Sequence, residues 1–273
     1  MIERRAIGII DSGVGGLTVA REVMRQLPHE EIIYFGDNAR CPYGSRTAEE
    51  IRTFTNQMIQ FLLQYSMKAL VIACNTATAV VLDEVREQLD LPVIGVIEPG
   101  VRAAISASRT GRIGIIGTET TIRTGAYQRA LKREKPDLYT VGLACPPFVP
   151  LVEHFMLQTD EAQKIVAETL APMQAEDVDT LILGCTHYPL LAPLIQQAMG
   201  SHITLINSAD ETAKELGALL SAQGILAPDE GGRAPRHRFF TSGEEEIFRQ
   251  IGESWLGRPL ELERRELEPL YLG

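Results

Sequence analysis

Residues 6–16 read AIGIIDSGVGG. An apolar run of strand length meets a carboxylate and a serine, then turns through Gly13, Gly15 and Gly16 into LTVAREV. This is the opening of a βα unit with polar residues at the strand's carboxyl end. The alternation continues outward. Apolar runs at Ala6–Ile10, Ile32–Phe35, Ala69–Ala73 and Pro92–Ile97 are followed by a second set at Ile113–Ile116, Tyr139–Leu143, Thr180–Leu183 and Ile203–Ile206. Helical patterns separate them. Thr47 with Glu50 forms a capping box ahead of Ile51, Phe54 and Met58, and Asp160 with Gln163 opens another ahead of Ile165, Val166 and Leu170.

The two sets repeat one another. IGIIDS from Ile7 matches IGIIGT from Ile113, CPY from Cys41 matches CPP from Cys145, and the strand-end Cys74 matches Cys185. Matches in the same order, two of them on cysteine, point to an internal duplication. The fold expected is α/β: two similar lobes, each a mainly parallel sheet flanked by helices, related by a pseudo-twofold, with the active site in the cleft between them. Residues 1–97 with 209–273 are assigned to the first lobe and 98–208 to the second. The tail belongs to neither copy. Ala227–Arg238 (APDEGGRAPRHR) reads as a charged surface loop, followed by a strand-like Phe239–Thr241, a helix from Glu244 towards Trp255 and an alternating Leu260–Arg264.

Composition narrows the class. With 26 Lys+Arg against 36 Asp+Glu the formal net charge is −10, which argues against a nucleic-acid partner. Four cysteines in 273 residues make no disulfide scaffold. The apolar stretches are strand-sized and the N-terminal one is too short for a secretory signal, so a cytoplasmic protein with reduced thiols and no membrane partner is expected.

In open α/β sheets ligands bind beyond the carboxyl ends of the strands. Here those ends carry Asp11-Ser12, Gly36-Asp37, Cys41-Pro42-Tyr43-Gly44, Cys74-Asn75-Thr76, Gly117-Thr118 and Cys185-Thr186-His187. The glycine turn only partly follows a dinucleotide fingerprint, since Thr18 stands where the last glycine should be. Asp37 sits where a ribose-binding carboxylate would, but Asp11 would face a pyrophosphate. Cys74 and Cys185 both close a strand ahead of a polar pair, where a following helix favours the thiolate. Duplication would set the two thiols across the cleft from each other, as bases on opposite faces of one carbon.

Competing uses of these residues are weaker. A metal site lacks a C-x-x-C pair, and no metal is expected. A cysteine hydrolase built from Cys185, His187 and Glu153 leaves Cys74 idle. No lysine stands at a strand end to hold pyridoxal phosphate, so no cofactor is expected. Cys41 and Cys145, each beside proline, read as loop packing.

DSGVGGLTV, GDNARCPYG, ACNTATA, VIEPG and GCTHYPLL resemble the signature segments of the glutamate racemases, in the cofactor-independent aspartate/glutamate racemase superfamily. The matches run from Asp11 to Leu191 and touch both lobes. His187 after GCT resembles the glutamate rather than the aspartate enzymes, which carry an acid there. The resemblance implies L/D interconversion of glutamate, supplying the D-isomer for peptidoglycan. It implies Cys74 and Cys185 as acid/base pair, Asp11 assisting the first, and His187 with Glu153 assisting the second. Expected substrate contacts are Asp11 and Ser12 for the ammonium, and Tyr43, Gly44, Asn75, Thr76, Thr118, Thr121, Thr186 and His187 elsewhere. A homodimer is compatible with the resemblance. The alternatives are a superfamily racemase acting on aspartate or another amino acid, and a cytosolic amino-acid sensor. Glutamate is itself an anion, so a chain of net charge −10 must recognise it through local N–H groups and hydroxyls.

Overall fold

Alternation along the first strand sets the plan. In β1 (Ala6–Asp11) Ile7 and Ile9 enter one apolar core while Ala6 and Ile10 enter another, so the strand is buried on both faces. In the computed structural model, which describes residues 5–157, 159–229, 231 and 234–268, the chain continues through α1 (Leu17–Gln26), β2 (Ile32–Gly36), α2 (Ala48–Leu62), β3 (Met67–Ile72), α3 (Asn75–Gln88) and β4 (Val93–Gly95). The second set is α4 (Ile97–Ala107), β5 (Arg112–Gly117), α5 (Glu119–Thr124), α6 (Ala126–Glu134), β6 (Tyr139–Ala144), α7 (Phe148–Glu153), α8 (Asp160–Gln174), β7 (Thr180–Gly184), α9 (Ala192–Met199) and β8 (Thr204–Ile206). It closes with α10 (Ser208–Ala222), β9 (Arg238–Thr241), α11 (Glu245–Leu256) and β10 (Leu262–Arg264). Residues 230, 232 and 233 of the expected loop Ala227–Arg238 lie outside the described residues, as do the chain ends of the first lobe's assignment, 1–4 and 269–273.

Among the described residues all strand pairings are parallel, in two sheets ordered β10-β9-β2-β1-β3-β4 and β6-β5-β7-β8. The inner order, second-first-third-fourth, is the same in both, as the duplicated motifs require. The first sheet packs α1, α10 and α11 on one face and α2 and α3 on the other. The second packs α4 and α6 on one face and α7, α8 and α9 on the other. The tail extends the first sheet beyond β2.

Local signals hold with small corrections. Thr47 and Glu50 make the reciprocal capping box at α2. At α8 the cap is Thr159, whose side chain accepts from Ala162 N–H, and Asp160 is the first helical residue. The run Pro92–Ile97 is a strand only over Val93–Gly95. Ile97 already begins α4, whose first turn tolerates Pro99 because it needs no N–H there. Below the first sheet Lys68 and Glu30 form a buried ion pair at 2.7 Å. Lys68 also donates to the Ile225 carbonyl, and Glu30 accepts from the Ala227 N–H, which fastens the chain leaving α10. Among the described residues no helix is long and apolar enough to cross a membrane.

Candidate active site

Strand register makes the two cysteines equivalent. Ile10 pairs with Ile72 in one sheet and Ile116 with Leu183 in the other, and Ile10 and Ile116 hold the same place in the repeated IGII. Cys74 and Cys185 each stand two residues beyond those partners. Both line one narrow cleft of about 10 Å³ between the lobes, together with Ser12, Tyr43, Gly44, Asn75, Thr76, Thr118, Thr186 and His187. Asp11, Thr121 and Glu153 stand one contact behind the wall. Asp11 accepts from Thr186 Oγ1 at 3.3 Å, Thr121 meets Thr118 at 2.9 Å, and Glu153 meets His187 at 3.1 Å.

The cysteine environments differ. Cys74 caps the 14-residue α3, and its sulfur accepts from Ala77 N–H at 3.4 Å and lies 3.6 Å from Ser12 Oγ. The helix-favoured thiolate expected there does not follow. Burial, reinforced by the Asp11 charge, pushes the Cys74 thiol up to about 12 against the lowering effect of Ala77 N–H. Cys185 precedes no α-helix directly. A single 3₁₀ turn over Tyr188–Leu191 follows it, and its sulfur lies 3.9 Å from His187 Nδ1. The other ring nitrogen, Nε2, meets Glu153 Oε1 at 3.1 Å. Burial acts to lower the His187 value, but hydrogen bonds to Cys185 and Glu153 win and raise it to about 10. Burial likewise works to raise Glu153, but the His187 contact prevails and holds its carboxyl below the ordinary value.

Asp11 is fully buried and its Oδ2 accepts from the Gly13 and Gly16 N–H groups, both at 3.0 Å. Burial raises it to about 6, limited by the His187 charge and those two N–H groups. The glycine turn thus wraps the carboxylate rather than a phosphate. Its close approach is to the other lobe: a Cβ on Gly15 would stand 2.5 Å from both His187 Nδ1 and Thr186 Oγ1. Gly44 meets the second lobe in the same way, where a Cβ would come within 2.6 Å of Thr118 Cβ.

Hydroxyls bridge the lobes at the start of α3. Thr76 Oγ1 lies 2.8 Å from Thr118 Oγ1 and 3.2 Å from Thr121 Oγ1, while Asn75 accepts from Tyr127 OH at 2.6 Å. Tyr43 lines the cleft, but its hydroxyl donates to Asp37 at 2.5 Å. Asp37 also accepts from Arg40 Nε at 2.7 Å and Ser242 Oγ at 2.6 Å, so it organises the CPYG loop.

Sequence reasoning missed Cys41. Far from packing within its loop, its thiol donates to Glu153 Oε1 of the other lobe at 3.2 Å. The signal available was its place in the CPYG segment beside Tyr43 and Gly44. Cys41, Glu153 and His187 thereby bring one donor atom each within 4.8 Å of one another, a metal-ligand set that no local spacing announced. Cys145 is buried inside the second lobe and stays a packing residue.

A duplicated pair of parallel sheets with a thiol from each facing one cleft defines a two-lobed α/β enzyme class. The Asp/Glu/Hydantoin racemase family matches residues 7–216, and the chain belongs to it. Its place within the family is with the glutamate racemases. The enzyme of Exiguobacterium sibiricum is 53% identical over 260 residues, 95% of each chain. Among solved structures, a glutamate racemase isoform of Bacillus anthracis superposes with a TM-score of 0.93 at 48% identity, covering 97% of this chain and 98% of that one. The glutamate racemase of Francisella tularensis, in complex with D-glutamate, gives 0.91 at 33% identity over 98% and 100%. The chain is accordingly an isomerase, an amino-acid racemase.

Proposed function

We propose that this enzyme interconverts L- and D-glutamate by a two-base, two-cysteine proton transfer that needs no cofactor, in the cytoplasm, where it supplies D-glutamate for peptidoglycan. The carrying observation is that Cys74 and Cys185 occupy equivalent positions in opposite lobes and line one cleft. One sulfur removes the α-proton from one face while the other donates to the opposite face, and the roles exchange with direction. Two chemically identical groups must be held in opposite protonation states. Cys74, buried beside Asp11, is the thiol; Cys185, facing the protonated His187, is the base. Ser12 and the charge of Asp11 receive the ammonium. Carboxylates are received at the first turn of α3, whose leading N–H groups have no intrahelical acceptor, and by Thr118 and Thr186. The lobes 1–97 with 209–273 and 98–208 close as units, expelling water that would otherwise solvate the thiolate.

Turnover of L-glutamate in deuterium oxide, without added metal or pyridoxal phosphate, tests the reading. Product should carry α-deuterium from the first turnover while recovered substrate stays protiated. Equal early labelling of both would rule out separate bases.

A further inference from the structure

We infer that Cys41, Glu153 and His187 form a capture site for a thiophilic divalent cation of the zinc class, and that the captured ion arrests the enzyme by joining its two lobes. This goes beyond the racemase reading and uses Cys41, which that reading leaves without a task.

The donor set is sulfur, carboxylate oxygen and imidazole nitrogen, the ligands zinc selects. Ordinary zinc bond lengths at a tetrahedral angle put sulfur and oxygen about 3.6 Å apart, and nitrogen and oxygen about 3.4 Å apart. Here Cys41 Sγ lies 3.2 Å and His187 Nε2 3.1 Å from Glu153 Oε1. These two edges need to open by only about 0.3–0.4 Å to admit the ion, and the sulfur–nitrogen edge lies within 4.8 Å. Cys41 follows β2 in the first lobe, whereas Glu153 ends α7 and His187 follows β7 in the second. An ion held by all three is a tie across the cleft. Three protein ligands leave a fourth position for water. Entry is past Glu153, whose side chain keeps 28% of its exposure while His187 keeps 2%. Among the described residues no other such set forms, and neither Cys74 nor Cys185 belongs to it.

Coordination replaces protons with metal. The Cys41 thiol and the protonated His187 each lose one proton to solvent, Glu153 is already ionised, and no electron moves. His187 then faces Cys185 with Nδ1 alone, its Nε2 committed to the ion. The proton that His187 shares with Glu153 at Nε2 is gone, Nδ1 keeps its own proton towards Cys185, and the lobes no longer part freely.

Cobalt(II) is the probe, because a cobalt–thiolate bond absorbs in the near ultraviolet whether or not the enzyme turns over. The full chain should take up one equivalent and show that band. Cys41→Ala should abolish it, while Cys145→Ala keeps it. Glu153→Gln keeps the sulfur, so the band should survive with half-saturation shifted at least tenfold. That variant decides the matter if Cys41→Ala fails to fold by circular dichroism. Zinc should displace the cobalt and slow racemisation, and a chelator should restore it. No uptake, a thiolate band persisting in folded Cys41→Ala, or a loaded enzyme racemising at the metal-free rate would each overturn the proposal. A chain that binds cobalt through Cys41 but never racemises glutamate would sink the substrate reading and leave the capture site standing.

Discussion

Gly15→Ala tests how tightly the lobes must meet. The added Cβ would lie 2.5 Å from His187 Nδ1, 2.5 Å from Thr186 Oγ1 and 2.7 Å from His187 Cε1. Ordinary contact needs about 3.5–4 Å, so the second lobe's Thr186-His187 segment must retreat by about 1 Å. His187 cannot simply rotate, because Glu153 holds Nε2 and Cys185 faces Nδ1. Overpacking of this kind costs about 1–3 kcal/mol, and for a chain of this size each kcal/mol lowers Tm by about 2–4 °C. Activity should suffer more than stability. A displacement of about 1 Å in a positioned acid/base group costs on the order of 100-fold in rate. Thermal melts and polarimetric racemisation measure the two effects. Repeating the change in a Thr186→Ala/His187→Ala background should erase the stability cost, since both obstructing groups are then gone. Wild-type kcat/KM in Gly15→Ala would refute the reasoning, because the reactive state would then not need this contact.

Glu153→Gln withdraws a charge that helps hold the His187 proton, so the basic limb of the kcat/KM profile should move to lower pH from about 10. A raised histidine value stabilises the fold below its usual 6.5 and loses that contribution as pH rises through about 10, so the variant's stability deficit should be largest below 6.5 and vanish above 10. Asp11→Asn removes a buried carboxylate raised from 3.8 to about 6, whose ionisation burdens the fold fully only above about 6. Urea melts should show the variant gaining on the order of 3 kcal/mol relative to wild type between pH 3 and pH 8. Its racemisation should fall steeply, and its remaining activity should lack an acid limb near 6. Lys68→Met strands the Glu30 charge and should cost about 3–5 kcal/mol in urea unfolding. Pairing it with Glu30→Leu should recover most of that loss.

The legible part of the sequence is whatever lies in short contiguous runs. Buried parallel strands announce themselves as apolar segments, and their polar carboxyl ends named Cys74, Asn75, Thr76, Thr186 and His187 directly. The duplication was legible because IGII recurs at matching places in two sheets of the same order. Contacts that join distant parts of the chain were not. Asp37 matches a ribose-binding spacing that Asp11 argues against, and its role as anchor of the CPYG loop is complete only once the tail folds back to bring Ser242 beside Tyr43 and Arg40. Cys41 looked inert because Glu153 belongs to the other lobe. Helix position alone misleads for the Cys74 thiol, since burial and the Asp11 charge outweigh one N–H contact. The placing of β9 and β10 at the far edge of the first sheet has no local signature, as both strands are only three or four residues long.

That edge has a consequence for how the enzyme is made. Ile33 of β2 pairs with Arg238 of β9, and Asp37 just beyond β2 is held by Ser242. A ribosome emits the roughly 200 residues between these partners in about 10–40 s. Throughout that interval the nascent first lobe presents an unpaired, apolar strand edge and an unfastened CPYG loop. The newly made chain is therefore exposed to mispairing with its neighbours on a polysome until its last strands arrive. Truncation anywhere before Arg238 leaves the β2 edge of the first sheet open.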